Sequence, residues 1–364
     1  DALPICSGVT VFMTDLTQIP ADFATRLIHW QQQYGRHDLP WQTTRNPYHV
    51  WLSEIMLQQT QVVTVIPYYL RFLELFPTLA DLALAEQDQV LAAWSGLGYY
   101  SRARNLHKAA QWVVAQHSGE FPKDIEQVAA LPGIGPSTAA AICAFSFGQP
   151  HAILDGNVKR VLCRFFGIEG YAGQKAIENR LWQIARALAP VDGIEAYTQA
   201  QMDLGATVCT RGKPQCGVCP LQQDCVARRE GRTGELPTPK PKKVIPERAT
   251  VMLLISDGQR LLLQKRPPTG IWAGMWSFPE IDSTLLAEDW CTAHLGLQAE
   301  AQPPLADFTH VFTHFRLTIT PLPLRVAPVL RANEPGWQWL SIADAEAAGI
   351  PTPVRKILAA MRSA

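Results

Sequence analysis

Apolar residues recur at intervals of three and four through most of the stretch from Ala21 to about Arg229. DFATRLIHWQQQYG, VWLSEIMLQQTQVVTVIPYYLRFLELF and LADLALAEQDQVLAAW all carry this spacing, which lines one face of an α-helix with apolar side chains. Pro67, Pro77, Pro122 and Pro132, with Gly96-Leu97-Gly98 and Gly133-Ile134-Gly135, cut the pattern into separate helices. Alternating strand patterns are scarce there, so this half predicts an all-α domain of roughly ten helices. From Arg232 to Arg248, RTGELPTPKPKKVIPER contains four prolines and several lysines, can bury little, and predicts an extended connector. Beyond it ATVMLLIS, QRLLLQKR, HFRLTITPLPLRV and GWQWLSI are β-rich, and PVRKILAAMRSA closes as a helix. The expected division is an N-terminal extension at 1–15, a helical domain at 16–230, a connector at 231–247 and an α+β domain at 248–364.

The length of 364 residues allows two or three domains with their own cores, and 47% hydrophobic with 18% charged residues argues against disorder. Formal net charge is +0, from 32 basic and 32 acidic residues, so bulk charge alone does not point to nucleic acid. The charge is uneven, however. Arg102, Arg104, His107 and Lys108 cluster, as do Lys159, Arg160 and Arg164, and a third group holds Arg228, Arg229, Arg232, Lys240, Lys242 and Lys243. Local patches of this kind can serve phosphates, although each alone reads more readily as scattered surface charge. The opening DALPICSGVTVFM lacks the basic and apolar regions of a secretory signal, and Met13 is a candidate start. No apolar run reaches the length of a membrane span, and a cytoplasmic location is expected.

Cysteine usage suits a reducing compartment. Of eight cysteines, Cys6, Cys143, Cys163 and Cys291 are isolated, and Cys143 and Cys163 read as core thiols. The other four stand together as Cys209-x6-Cys216-x2-Cys219-x5-Cys225, in CTRGKPQCGVCPLQQDC, with Pro214, Gly217 and Pro220 shaping the loop. Only Cys216 and Cys219 form a tight pair, which is not the doubled pattern of a zinc ribbon. An iron–sulfur cluster is larger than one metal ion and accepts looser spacing, so a 4Fe-4S cluster is the favoured ligand. A zinc knuckle and two disulfides remain as alternatives.

Two further segments carry candidate chemistry. LPGIGPST lies between DIEQVAAL and STAAAICAF, both helical, so its glycines make a tight turn that leaves N–H groups open at a helix start. A helix N-terminus of this kind binds phosphate through its amides and dipole. The hairpin is expected over about 124–147, with Gly133, Gly135, Ser137 and Thr138 against a phosphate backbone, an ordinary turn between helices being the alternative. Glu54 lies among Trp51, Leu52, Ile55 and Met56. On the solvent face of a helix it would be unremarkable; buried, it would hold a proton near neutral pH. Asp155, in ILDGNVKRVL, could be a helix cap, as could Asn157.

LPGIGPSTAAAI, then ILDGNVKR, then the four-cysteine loop, resemble in this order the helix-hairpin-helix base-excision glycosylases with an iron–sulfur loop. SEIMLQQTQV narrows the resemblance to the MutY-type adenine DNA glycosylase family, and it runs from about Leu27 to the C-terminus. RPPTGIWAGMWSFPE and FTHVFTHFRL resemble that family's C-terminal domain, which has a Nudix-like fold.

The resemblance implies an all-α helix-hairpin-helix glycosylase domain with a 4Fe-4S loop, followed by an α+β Nudix-like domain. It implies that Glu54 and Asp155 are catalytic, with Asn157 in support. Ser137 stands where endonuclease III-type enzymes carry the lysine that forms a Schiff base, so strand cleavage is not expected. Gln58, Gln59, Leu97 and Tyr99 belong by resemblance to elements beside the base opposite the target, with structural packing the alternative for Leu97 and Tyr99. Phe312-Thr313-His314 matches the loop that contacts 8-oxoguanine, with Thr313 where the family more often has serine. The Nudix catalytic box is missing, so recognition and not hydrolysis is expected of this domain. His310 and His314 have no third metal ligand in the sequence pattern. The implied partner is double-stranded DNA with A:8-oxoguanine or A:G mispairs, bound by a monomer away from membranes. Against this stand a bifunctional pyrimidine-lesion glycosylase/lyase of endonuclease III type and a non-catalytic mismatch-binding protein.

Overall fold

The computed structural model describes residues 19–241, 244–282, 287–328 and 335–363. The expected extension at 1–15, with Cys6 and Met13, lies outside the described residues, as do Lys242 and Lys243. The helical part contains α1 (Phe23–Tyr34), α2 (Pro47–Leu57), α3 (Val62–Leu75), α4 (Leu79–Leu84), α5 (Gln87–Trp94), α6 (Ser101–His117), α7 (Ile125–Ala130), α8 (Pro136–Phe147), α9 (Gly156–Phe165), α10 (Lys175–Leu188), α11 (Ile194–Asp203) and α12 (Val226–Arg229). These are twelve among the described residues, against roughly ten expected. The difference is physical: α4, α7 and α12 span 6, 6 and 4 residues, too few turns to display a period.

The β-rich part contains β1 (Glu247–Ser256), β2 (Leu261–Lys265), β3 (Trp276–Ser277), β4 (Glu280–Ile281), α13 (Ala287–Leu295), β5 (Ala299–Ala301), β6 (Phe308–Val311), β7 (Arg316–Val326), β8 (Trp337–Leu340), α14 (Ile342–Ala347) and α15 (Thr352–Ser363). Among the described residues no helix is long and apolar enough to cross a membrane.

The chain forms two compact units. The first holds residues 19–50, 123–130 and 134–241. Its core joins Phe23 and Leu27 of α1, Ala140 and Ala144 of α8, Val158, Val161 and Leu162 of α9, Leu181 and Ile184 of α10, and Tyr197 and Ala200 of α11. The connector segment expected to be extended packs here over its first ten residues. Leu236 is buried, and the Thr238 hydroxyl accepts the Gly170 N–H at 3.0 Å. Arg164 pulls it in by donating to the Leu236 carbonyl at 2.8 Å, so a proline-rich segment poor in donors is held through an acceptor.

The second unit holds residues 51–122, 131–133 and the described residues from 244 onward. Its mixed sheet runs β3-β2-β1-β7-β5, with β4 on β1, β6 on β7 and β8 on β2. β1 and β7 pair in parallel from Glu247 opposite Arg316 to Ser256 opposite Arg325. Leu253, Ile255, Leu262, Leu324 and Val326 bury one face with Cys291 of α13. Helices α3–α6, and α2 from Trp51 onward, belong to the same unit, and α5 and the turn after it meet the sheet domain. Asp88 is paired with Lys265 at 2.8 Å and accepts the Trp276 indole N–H at 3.2 Å. Ser95 donates to the Ile350 carbonyl at 2.7 Å and accepts from Arg355 at 2.8 Å.

Candidate functional site

In the first unit α8 begins at Pro136, with Gly135 as its N-cap residue. Gly133, in the turn after α7, takes φ +82°, and a Cβ there would sit 2.9 Å from the Asn105 Cβ, so only glycine fits. Gly133 and Gly135 are exposed, while Ser137 and Thr138 are half-buried. The Ser137 hydroxyl does not cap α8. It accepts the Leu154 N–H at 2.9 Å, fixing the backbone one residue before Asp155.

Asp155 is both the N-cap of α9 and a held carboxylate. Oδ1 accepts the Val158 N–H at 2.8 Å, and Oδ2 accepts the Asn157 amide at 3.3 Å. Burial pushes its pKa upward, opposed by the N–H groups of Val158 and Asn157, the Arg160 charge and the Asn157 side chain. The capping alternative is therefore met by one oxygen, and the other is oriented by Asn157.

From Asn157 a hydrogen-bonded chain runs to the cysteine loop. Arg160 Nη2 donates to Asn157 Oδ1 at 2.9 Å and to the Gly205 carbonyl at 2.6 Å, while Nε donates to the Cys209 carbonyl at 2.8 Å. Gly205 lies in a π-helical turn, Leu204–Val208, with Asn157 against it: a Cβ would come within 2.5 Å of the Asn157 Cβ. Arg164, 2% exposed, donates to the carbonyls of Thr210 at 2.7 Å and Arg211 at 3.1 Å and lies 3.4 Å from Cys209 Sγ.

The seven described cysteines are free, which removes the disulfide alternative for the loop. Cys209, Cys216, Cys219 and Cys225 line one small cavity with Arg164 and Arg228. Burial pushes the Cys219 thiol to about 12 and raises Cys225, so these thiols stay protonated until a metal displaces the proton. Among the described residues no three His, Cys, Asp or Glu side chains gather as one metal ion requires. Four thiol-bearing residues around one cavity are a donor set that suits an iron–sulfur group. Cys143 and Cys163, both buried with thiols raised to about 11, are core residues as expected.

In the second unit Glu54 is half-buried on α2, between the buried Ser53 and Ile55. Gln58 is half-buried, and Gln59 is exposed with φ +60°. Tyr99 is 46% exposed at φ +49°, whereas Leu97 is buried. Thr313 and His314 are exposed at the turn between β6 and β7. Phe312 anchors this turn, stacked on Phe315 at 4.5 Å and lying 5.4 Å from Trp272.

Two of the three basic clusters contain buried or paired cations, whereas Arg228, Arg229 and Lys240 of the third are exposed, as scattered surface charge would be. Arg102 and Arg164 are buried structural cations, and Lys159 pairs with Glu178 at 2.6 Å. For Arg164 the signal was present: it follows Val161 by three residues and so falls on the buried face of α9.

Comparison with known proteins agrees with the geometry. A profile of the HhH-GPD superfamily of base excision DNA repair proteins matches residues 52–187, one of the iron-sulfur binding domain of endonuclease III matches 209–225, and a NUDIX domain profile matches 250–360. The chain is 36% identical over 338 residues to the adenine DNA glycosylase of Buchnera aphidicola subsp. Acyrthosiphon pisum, covering 92% of this chain and 96% of that protein. It is 33% identical over 407 residues to that of Homo sapiens, covering 94% and 74%. Among solved structures, a thermostable thymine-DNA glycosylase aligns with TM-score 0.53 and 27% identity over 57% of this chain and 95% of that one. An endonuclease III–DNA complex aligns with TM-score 0.50 and 22% identity over 57% and 94%, a likeness of fold. Because the matched relatives span hairpin, cysteine loop and β-rich region together, the chain belongs to the adenine DNA glycosylases of the helix-hairpin-helix, iron–sulfur type.

Proposed function

We propose that this chain removes adenine mispaired with 8-oxoguanine or guanine in base excision repair, by hydrolysis of the N-glycosidic bond without strand cleavage. The adenine must leave the stack before its bond can be reached. Glu54 donates a proton to the base, at N7, which makes adenine a better leaving group. Asp155 stands to the oxocarbenium-like sugar as a fixed negative charge, with Asn157 orienting it, and water completes the sugar. Gln58, Gln59, Leu97 and Tyr99 act beside the opposite base, and Phe312-Thr313-His314 reads the lesion. Gly133, Gly135, Ser137 and Thr138 meet the DNA backbone.

The observation that carries the monofunctional reading is Ser137. Its hydroxyl is engaged with Leu154 N–H, and it offers no amine to attack the sugar. The endonuclease III-type alternative lacks its nucleophile at that position.

Cys209, Cys216, Cys219 and Cys225 would hold a 4Fe-4S cluster. Their shared cavity and the match of residues 209–225 to an iron-sulfur binding domain support this reading over zinc. When bound, the cluster supplies a rigid cross-link of the loop, and Arg164 offsets thiolate charge from within. Residues 16–230 form the catalytic domain with the hairpin at 124–147, 231–247 the connector and 248–364 the lesion-recognition domain. The chain acts as a monomer on cytoplasmic, nucleoid DNA.

The test is incubation with a duplex containing one A:8-oxoguanine pair, followed by alkali. Abasic sites at the adenine, formed before alkali is added, are expected. Binding without excision in a single turnover would favour a non-catalytic mismatch binder.

A further inference from the structure

Arg102 is the second residue of α6, in the second unit, with its side chain buried at 7% exposure. Nη1 donates to the carbonyls of Ile55 at 2.9 Å, Met56 at 2.7 Å and Gln58 at 2.7 Å. Nη2 donates to Thr60 Oγ1 at 3.1 Å, the Gly98 carbonyl at 3.1 Å and the Leu97 carbonyl at 3.4 Å. The guanidinium also lies 5.3 Å from the Trp94 ring centre and 5.5 Å from that of Tyr99.

These contacts join two segments that are each held in unfavourable backbone conformations. Gln59 and Tyr99 are non-glycine residues at φ +60° and +49°, and Gly96 and Gly98 flank Leu97 at φ +109° and +72°. Such conformations persist only where the surroundings over-determine them, and they concentrate at functional sites. At the end of α2 the Ile55 carbonyl also accepts the Gln58 N–H at 3.4 Å, and Arg102 adds a charged donor to it and to the carbonyls of Met56 and Gln58. Burial pulls the guanidinium down to about 10, so it remains charged at neutral pH, balanced by carbonyl dipoles and aromatic faces. A lysine would replace it only in part, since one ammonium lacks the planar fork that reaches both segments.

We infer that Arg102 is a positioning residue for base extrusion, locking the segment that carries Gln59 to the segment that carries Leu97 and Tyr99. Both then meet the duplex as one preformed wedge, with the ordering cost met before DNA is bound. This rests on the assignment of those residues to the opposite-base wedge.

The experiment compares wild type, Arg102→Met and Arg102→Lys in the full chain. One duplex carries 2-aminopurine in place of the mispaired adenine, and its fluorescence rises on unstacking. Single-turnover excision is measured on an A:G duplex and on one with an abasic analogue opposite adenine, where no opposite base has to be held apart. Arg102→Met should cut the fluorescence rise, and slow A:G excision about tenfold more than excision opposite the abasic analogue. Arg102→Lys should fall between. Equal slowing on both duplexes, or a wild-type fluorescence rise, overturns the assignment. If Arg102→Met does not fold, the same two readouts on Arg102→Lys decide: preferential loss on A:G supports it, and equal slowing or wild-type behaviour overturns it. A wild-type chain that excises adenine from neither duplex refutes the adenine glycosylase reading itself, and the wedge with it.

Discussion

The Ser137 hydroxyl accepts the backbone N–H of Leu154 at 2.9 Å, so the hairpin helix fixes the chain immediately before Asp155. By resemblance this position carries a nucleophilic lysine in endonuclease III-type enzymes; in this chain its side chain is a hydroxyl held by the Leu154 N–H. Wild-type protein should leave abasic sites, with weak borohydride trapping. Ser137→Lys should raise trapping by supplying an amine. Ser137→Ala should leave the Leu154 N–H unpaired in a buried setting and cost about 1–3 kcal/mol, read from thermal unfolding. Strong strand cleavage by wild type would contradict the monofunctional assignment.

Glu54→Gln keeps shape and hydrogen-bonding capacity but loses the acid. Excision should fall by about a hundredfold or more while binding to A:8-oxoguanine DNA stays close to wild type. Near-wild-type turnover by the folded variant would remove Glu54 from the mechanism.

Asp155→Asn separates capping from catalysis, since asparagine caps a helix about as well as aspartate. Stability should change by no more than about 1 kcal/mol, while excision is severely impaired. The pH profile gives a second test. In the proposed mechanism Asp155 acts ionised; burial raises its pKa, so excision should be lost as pH falls through that raised value. The Arg160 charge lowers the same pKa, so Arg160→Gln should move the acid limb to higher pH. An acid limb that does not move would separate Arg160 from the Asp155 charge.

Protein handled without oxygen should be brown, with about four irons and four sulfides per chain. Cys216→Ser or Cys219→Ser should reduce metal content and soluble yield far more than Cys143→Ser, because Cys143 packs in the core away from the loop cavity. Zinc without sulfide would overturn the cluster assignment.

Removing the His314 imidazole in His314→Ala should shrink the preference for A:8-oxoguanine over A:G by about tenfold to a hundredfold, as expected for one good base contact. Excision opposite guanine should change less. Unchanged discrimination would shift lesion reading to Gln59, Leu97 and Tyr99. A truncation used for the same question should end after Pro241 and not near Arg229, because Leu236 and Thr238 pack on the first unit.

The sequence by itself determined the helical and β-rich halves, the hairpin and the four-cysteine loop. Each is written in local chemistry: a three-to-four period, glycines at a left-handed turn, thiols at short spacing. It also singled out Glu54, Asp155 and Ser137, which sit in contiguous motifs. What only the tertiary structure decided is what the arginines do. Arg102, Arg160 and Arg164 looked like surface charge, yet one joins two loops about forty residues apart, and the others tie α9 to the cysteine loop. Likewise Ser137 reads locally as a helix cap, but its partner is Leu154. A pattern in sequence reports periodicity along one element. The acceptors these donors found lie on other elements, brought within about 3 Å only by the packed chain, and burial then makes each such bond obligatory.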